Sequence, residues 1–376
     1  MHKIRRVLIV GGGIGGMAAA LSLSRLNQGI SIDLIDLDPQ WRVYGAGITI
    51  TGPTLRAFQQ LDILEEVMKV AYTGHGIRVC DVAGKPLTEL PTPIPMGTDI
   101  PGSGGILRPV LHQILSKRTL ASGTSVRLGL TVEALTESSD GAHVLFSDGG
   151  RKQYDLVIGA DGINSRMRQL IMPECGKAFF TGQNAWRLVA RRRPHIDCRH
   201  YFLGGPVKVG LSPVSQDLMY MFLLENSPAG SRYDERELAG ELRRLTLPYR
   251  GIIGELRDQL DDSSSIIMRP LQGLVVQAPW HRGRVLLIGD AAHPTTPQLA
   301  SGAGMAVEDG VVIAQEIERG TDLSGIFHRF MQRRYERCRL VVNNSLEIGR
   351  REQAGAPVTT QTELVELTLR QLAKPF

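Results

Sequence analysis

The sequence predicts an α/β protein, a Rossmann-like nucleotide-binding domain that is discontinuous in the chain and carries an inserted β-sheet. Three observations lead there. A buried-strand run, "RRVLIV" (Arg5 to Val10), a glycine-opened helix, "GIGGMAAALSLSRL", and a second strand, "ISIDLID" (Ile30 to Asp36), form a βαβ unit in about thirty residues. From about Cys175 the strands lengthen, in "NAWRLVARR", "HYFLGG", "VKVGLSPVS" and "LMYMFLLE", as in an antiparallel sheet. Strand character of the first kind then returns in "RVLLIGD" (Arg284 to Asp290), ahead of one long helical tract from Gly302 to about Arg351.

The remaining elements follow from period. "RPVLHQILSKRTL" (Arg108 to Leu120) and "DERELAGELRRLTL" (Asp234 to Leu247) read as helices, and "SVRLGL", "AHVLFSD" and "YDLVIGAD" as strands. The nucleotide domain is expected to take residues 1–174 and 270–352. A β-rich covering domain takes 175–269, with a smaller contribution from about 73–105. The tail, 353–376, has a helical period in "ELVELTLRQL" and is expected to seal the domain in preference to joining a twofold partner.

Composition excludes several classes. Of 376 residues, 42% are hydrophobic and 22% charged, which argues for a packed core against disorder. No apolar run reaches the roughly 18–20 residues of a membrane span. The opening "MHKIRRVLIVGGGIGG" has an apolar stretch only from Val7 to Val10, too short for a secretion signal, so a cytoplasmic protein is expected. The net charge of +5 resides largely in "ARRRP" and in a late helix with Arg329, Arg333, Arg334, Arg337 and Arg339. Neither has interleaved aromatics, so both read as solvated faces and no nucleic-acid partner is expected. Cys80, Cys175, Cys198 and Cys338 are scattered, which suggests reduced thiols with neither disulfide nor metal.

Three motifs carry chemistry. Gly11, Gly13 and Gly16 in "GGGIGG" stand between strand and helix, and Asp36 follows the third glycine by 20 residues. In a dinucleotide fingerprint Gly11 makes the tight turn, Gly13 admits a pyrophosphate, Gly16 packs helix on strand, and Asp36 accepts from a ribose hydroxyl. "DLVIGADGINSRMR" (Asp155 to Arg168) runs a buried strand into an Asp-Gly turn. "GDAAHPTTPQLASGAGMAVEDG" (Gly289 to Gly310) sets Asp290 ahead of prolines and small residues that open a helix, where bare backbone and a helix N-terminus suit a phosphate-bearing group.

Together these residues resemble the flavoprotein aromatic hydroxylases, the single-component, class A FAD monooxygenases that include salicylate, urate and 6-hydroxynicotinate hydroxylases. The resemblance spans nearly the whole chain. It implies a para-hydroxybenzoate-hydroxylase-like fold, bound FAD, and NADH or NADPH used transiently. The implied reaction is O2-dependent hydroxylation of a small, anionic aromatic or heteroaromatic substrate through a flavin C4a-hydroperoxide. Gly11, Gly13, Ile14, Gly15, Gly16 and Asp36 would hold the ADP half of FAD. Arg108 in "LRPVL" would contact the flavin, and "YGAGITI" (Tyr44 to Ile50), with Gly47, would line its substrate side. Asp161 is associated with FAD and NAD(P)H use, Asp290 with the ribityl chain, and Pro297, Gly302, Ala303 and Gly304 with the isoalloxazine ring.

For catalysis, Lys208 matches a substrate-binding Arg of urate hydroxylases and Tyr220 their active-site Tyr, while Gln298 stands beside the flavin-site Pro297. Two positions depart from relatives: Gly304 replaces Asn or Cys, and Thr49 stands where hydroxynicotinate-type enzymes have His. Arg187, beside Trp186, is a candidate flavin- or substrate-side residue but is expected in a structural ion pair, His293 in a structural part of the flavin loop, and His75, His195 and His200, candidate bases, at the surface. The rival readings are an FAD-dependent reductase or halogenase on the same scaffold, the latter disfavoured because Trp41, Trp186 and Trp280 lie far apart, and a non-catalytic flavin redox sensor. A monomer or homodimer is expected.

Overall fold

The computed structural model describes residues 4–26, 28–43, 45–227, 233–320 and 322–376. Tyr44, the first residue of the "YGAGITI" segment, lies outside them.

A six-stranded sheet forms the base. The strands Arg6–Val10, Ser31–Asp36 and Ser125–Leu128 run parallel on one side, and Leu156–Gly159 and Val285–Leu287 continue it on the other. Segments from both ends of the chain therefore meet in one sheet. Val7, Leu8 and Ile9 are fully buried, as expected for a strand covered on both faces. The helices Ile14–Ser24 and Gly302–Glu318 pack together over it, so closely that a Cβ on Gly310 would meet the Ala19 nitrogen at 2.5 Å.

A seven-stranded sheet lies above. Its order is Ile266–Gly273, Phe179–Arg191, Leu218–Asn226, Lys208–Pro213, Arg199–Phe202, Ile77–Cys80 and Pro86–Leu90. All neighbours are antiparallel except Arg199–Phe202 beside Ile77–Cys80. Period two divides its faces. Trp186, Leu188, Val209, Leu211, Met219, Met221 and Leu223 form a core with the helices Leu238–Thr246 and Gly251–Asp258. The alternating residues point the other way, toward the nucleotide domain.

The helical tract after Gly302 is two helices, Gly302–Glu318 and Leu323–Gln353. Gly320, at φ +73°, ends the first, and the Asp322 carboxylate caps the second by accepting from the Gly325 N–H. The apolar period continues across the break, which hides it. The basic face of the second helix is also less solvated than expected. Arg334 is fully buried and paired with Asp309 (2.7 Å) and Glu308, Arg337 pairs with Glu308, and Arg333 with Glu316. The tail helix Val358–Leu372 packs on the same long helix, where Asn344 donates to Thr368 Oγ1 and Arg337 to the Leu372 carbonyl. No helix among the described residues is long and apolar enough to cross a membrane.

Candidate active site

The glycine turn opens the site. Gly11 has φ +106°, and a Cβ there or on Gly16 would overlap backbone carbonyls. Gly13 is different: an added Cβ would meet nothing within 4 Å, because the residue faces open space. It caps the helix Ile14–Ser24 without a side-chain hydrogen bond, so the first N–H groups of that helix lack a side-chain cap. Asp36 accepts from the Gly12 N–H (2.6 Å) and the Asp38 N–H (2.8 Å), which fixes its carboxylate beside the turn. Trp41, unremarked as a site residue in the sequence, donates from Nε1 to the Gly12 carbonyl (2.8 Å).

Gly13, Ile14 and Gly15 lie on the wall of a cavity of about 490 Å3 between the two sheets. Gly47, Arg108, Ala160, Gly162, Asp290, Pro297, Gln298, Gly302 and Ala303 line it from the nucleotide domain. Asp161 does not. Its Oδ1 accepts from Ser165 (2.5 Å) and its Oδ2 from the Met167 N–H (2.9 Å), so the carboxylate anchors its own turn. Gly304 is also off this wall, since a Cβ there would collide with Thr54, and its lack of a side chain reflects helix packing. Asp290 is exposed on the cavity wall, and the desolvation of the surrounding protein raises its carboxyl above the usual range against the opposing pull of His293 and Arg108. Ala300, just past the Pro297–Leu299 turn, adopts a left-handed conformation at φ +52°, a strained backbone held at the cavity edge.

The covering sheet supplies the roof through its second face. Ala185 and Arg187 reach the cavity from one strand, Tyr220, Phe222 and Leu224 from the next, then Lys208, then Tyr201 and Arg199. Tyr220, buried, shares a hydrogen bond with Thr49 Oγ1 (2.8 Å), and burial raises its phenol above the ordinary value despite Thr49 and Arg187. The Lys208 ammonium is not free. It donates to Glu352 Oε1 at 2.7 Å, with side chains only 10% and 7% exposed, and stands 4.7 Å above the Tyr201 ring. Burial pulls that ammonium down, but Glu352 and Tyr201 more than offset it and leave the pKa above the ordinary value. Gln298 donates to Gln183 Oε1 (3.0 Å) and Glu352 Oε2 (3.3 Å), tying the Pro297–Leu299 turn to the same pair. Glu352, near the end of the long helix, had no signal in the sequence.

Arg187 reverses an expectation. Among the described residues no carboxylate or other acceptor pairs with its guanidinium, so the structural ion pair is absent. Burial lowers its pKa; Tyr220 opposes this, and Arg108 and Arg269 add to it. Arg199, buried where Arg187 is half-buried, has only the neutral partners Tyr201 Oη (3.1 Å) and Ser103 Oγ (3.1 Å). The candidate histidines do not line the cavity. His75 and His195 are exposed, but His200 is buried, against expectation, and its Nδ1 lies 2.9 Å from the Cys198 carbonyl. His293 is buried against Asp309 (2.7 Å), with the imidazole held well above its usual value: desolvation is outweighed by Cys338 and Asp309.

The residues present fit FAD. A glycine cradle with free volume at Gly13, an uncapped helix N-terminus, a cationic side chain at Arg108 and a cavity continuing under the roof together match a phosphate-bearing ligand with a large ring. Residues 5–345 match the family model described as an FAD binding domain. The chain belongs to this FAD-binding family. Its relatives place it among the FAD-dependent monooxygenases. Bacillus subtilis YetM, named as an FAD-dependent monooxygenase, is 31% identical over 94% of this chain and 95% of its own. The FAD-dependent urate hydroxylase of Klebsiella oxytoca is 27% identical over 90% and 88%. In fold, this flavoprotein matches Klebsiella pneumoniae HpxO, solved with FAD and uric acid, at a TM-score of 0.86 and 23% identity over 98% of this chain and 96% of that one.

Proposed function

We propose that this flavoprotein uses NADH or NADPH and O2 to hydroxylate a small, anionic aromatic or heteroaromatic compound. The observation that carries this reading is the roof of the cavity. Arg187, Arg199 and Lys208 stand among Tyr201, Tyr220 and Phe222, in the same cavity as the glycine cradle. Aromatic faces suit a flat ring, and the cations suit a negative group on it.

Bound FAD, once reduced, supplies the activation of oxygen. The chain's own residues do the rest. Gly13, Ile14 and Gly15 would receive the pyrophosphate, with Arg108 and Asp290 along the flavin. The Tyr220 hydroxyl, positioned by Thr49, is a donor that orients a ring oxygen and favours its ionised form, which raises ring electron density. Lys208, held by Glu352, stiffens the roof, and the seven-stranded sheet keeps bulk water from the reacting face. Reduced nicotinamide docks transiently, since no second nucleotide fingerprint is present in the sequence.

The test is a screen of purified holoprotein with phenolic and N-heteroaromatic acids for ligand-stimulated NAD(P)H oxidation, with O2 uptake and a hydroxylated product in matching amounts. Bound FAD without stimulation by any member would instead favour a redox sensor.

A further inference from the structure

Five cationic side chains line the cavity, and three of them have hydrogen-bond or ion-pair partners in the fold. Lys208 is neutralised by Glu352. Arg199 is anchored to Tyr201 and Ser103. Arg269 is exposed and donates to the Met268 carbonyl (2.9 Å). Arg108 also has no side-chain partner among the described residues, but it stands on the nucleotide side, against Gly45, off the roof. Arg187 alone projects from the middle of the roof with no partner among the described residues.

We propose that Arg187 is the anchor for a carboxylate carried by the aromatic substrate, seated on the guanidinium beside Tyr220. This rests on the hydroxylase reading and narrows its substrate class to aromatic carboxylic acids. The geometry is specific. Arg187 lies on the Phe179–Arg191 strand opposite Phe222 on one side and Ile267 on the other, and its neighbour on the same face, Ala185, is small. The guanidinium thus sits between apolar side chains above a space that takes a ring. While the cavity holds water the charge is hydrated. A ring that displaces the water leaves the charge stranded unless it brings an anion, and the planar fork of donors matches a carboxylate in two parallel hydrogen bonds. A neutral ring of the same shape is then rejected, because it buries the cation unpaired. Lys208 does not compete for that carboxylate, since its charge is matched.

A negative group on FAD is the other source of a counter-charge, and the experiment separates the two. Holoprotein is titrated with benzoate, the hydroxybenzoate isomers, 2-aminobenzoate and nicotinate, each against its uncharged amide, and binding is read from the visible flavin difference spectrum. Wild type should bind at least one acid about 30-fold or more tighter than its amide. Arg187→Met should abolish that preference while FAD content and amide affinity stay within about threefold. Arg187→Lys keeps the charge, loses the fork, and should weaken the acid by about tenfold. It carries the test should the Met variant fold poorly.

Equal acid affinity in either variant, no acid perturbing wild type, or FAD lost from both variants would overturn the assignment. Acid binding that depends on Arg187 but never stimulates NAD(P)H oxidation would instead sink the hydroxylase reading and leave the anchor standing.

Discussion

Neutralising Glu352 tests whether Lys208 belongs to the scaffold or to the substrate. The Lys208–Glu352 pair is 2.7 Å long and almost wholly buried, so Glu352→Gln leaves an ammonium in the roof without its counter-charge. Removing one partner of such a pair costs about 3–5 kcal/mol. At about 2.1 cal/mol/K per residue, 376 residues unfold with an entropy of about 0.8 kcal/mol/K, so the melting temperature should fall by about 4–6 °C. Lys208→Met should cost a similar amount, because it strands the carboxylate. The double variant Lys208→Met with Glu352→Leu removes both charges and should recover to within about 1–2 kcal/mol of the parent, a coupling of at least about 4 kcal/mol. Melting is followed by circular dichroism at saturating FAD, so that ligand linkage is constant across the series. Additive single costs would refute the reasoning, since they would mean that the two side chains do not share an interaction in solution. The cycle also clarifies the ligand experiment. Loss of acid binding in Lys208→Met alone is ambiguous, because the freed Glu352 carboxylate repels an acid by itself, whereas the double variant presents no such charge.

Further outcomes follow from the same geometry. Gly13→Ala should leave apoprotein stability within about 0.5 kcal/mol yet weaken FAD retention at least tenfold, whereas Gly16→Ala should lower expression and melting temperature, because its Cβ overlaps the Gly11 carbonyl; equal FAD affinity in Gly13→Ala would move the cofactor off the cradle. Burial raises the Asp309 carboxyl, but His293 and Arg334 outweigh it and hold the pKa at about 2, below an unfolded value of about 3.9. Its stabilisation is therefore full above about pH 4 and disappears as pH falls toward 2. His293, raised, stabilises fully below its unfolded pKa and loses that contribution as pH rises through its folded one. Urea midpoints against pH should show the acid loss in the parent and a flatter acid limb in Asp309→Asn. Tyr220→Phe leaves Thr49 Oγ1 without its partner and should cost about 1–2 kcal/mol, with unchanged FAD content and kcat/KM for the substrate lower by tenfold or more; an unchanged kcat/KM would remove Tyr220 from the chemistry.

The features legible in the sequence are those set by local geometry. Gly11 and Gly16 announce themselves because a tight turn and a close helix each forbid a side chain, and Gly13 completes the fingerprint at its fixed spacing while facing open space. The strands of the roof are legible because one face is buried, and the alternation that marks Trp186 and Leu188 as core also marks Arg187 as facing the other way. A helix break at Gly320 is not, since the apolar period runs through it. Least legible is the state of each charge. Lys208 and Glu352 are separated by 144 positions, so nothing near Lys208 shows that its ammonium is matched. Arg187 is the converse, because lacking a partner is a property of all the chain around it. Arg334, expected at a solvated face, turned out buried for the same reason: its partners Glu308 and Asp309 lie on another helix. Residue type tells which groups can bear charge, while the fold decides which of those charges it has already balanced. A cavity cation left over from that balance differs from its neighbours in one physical respect, a cost of desolvation that only a ligand of opposite sign relieves. That difference separates Arg187 from Lys208, although sequence pattern alone ranks them the other way.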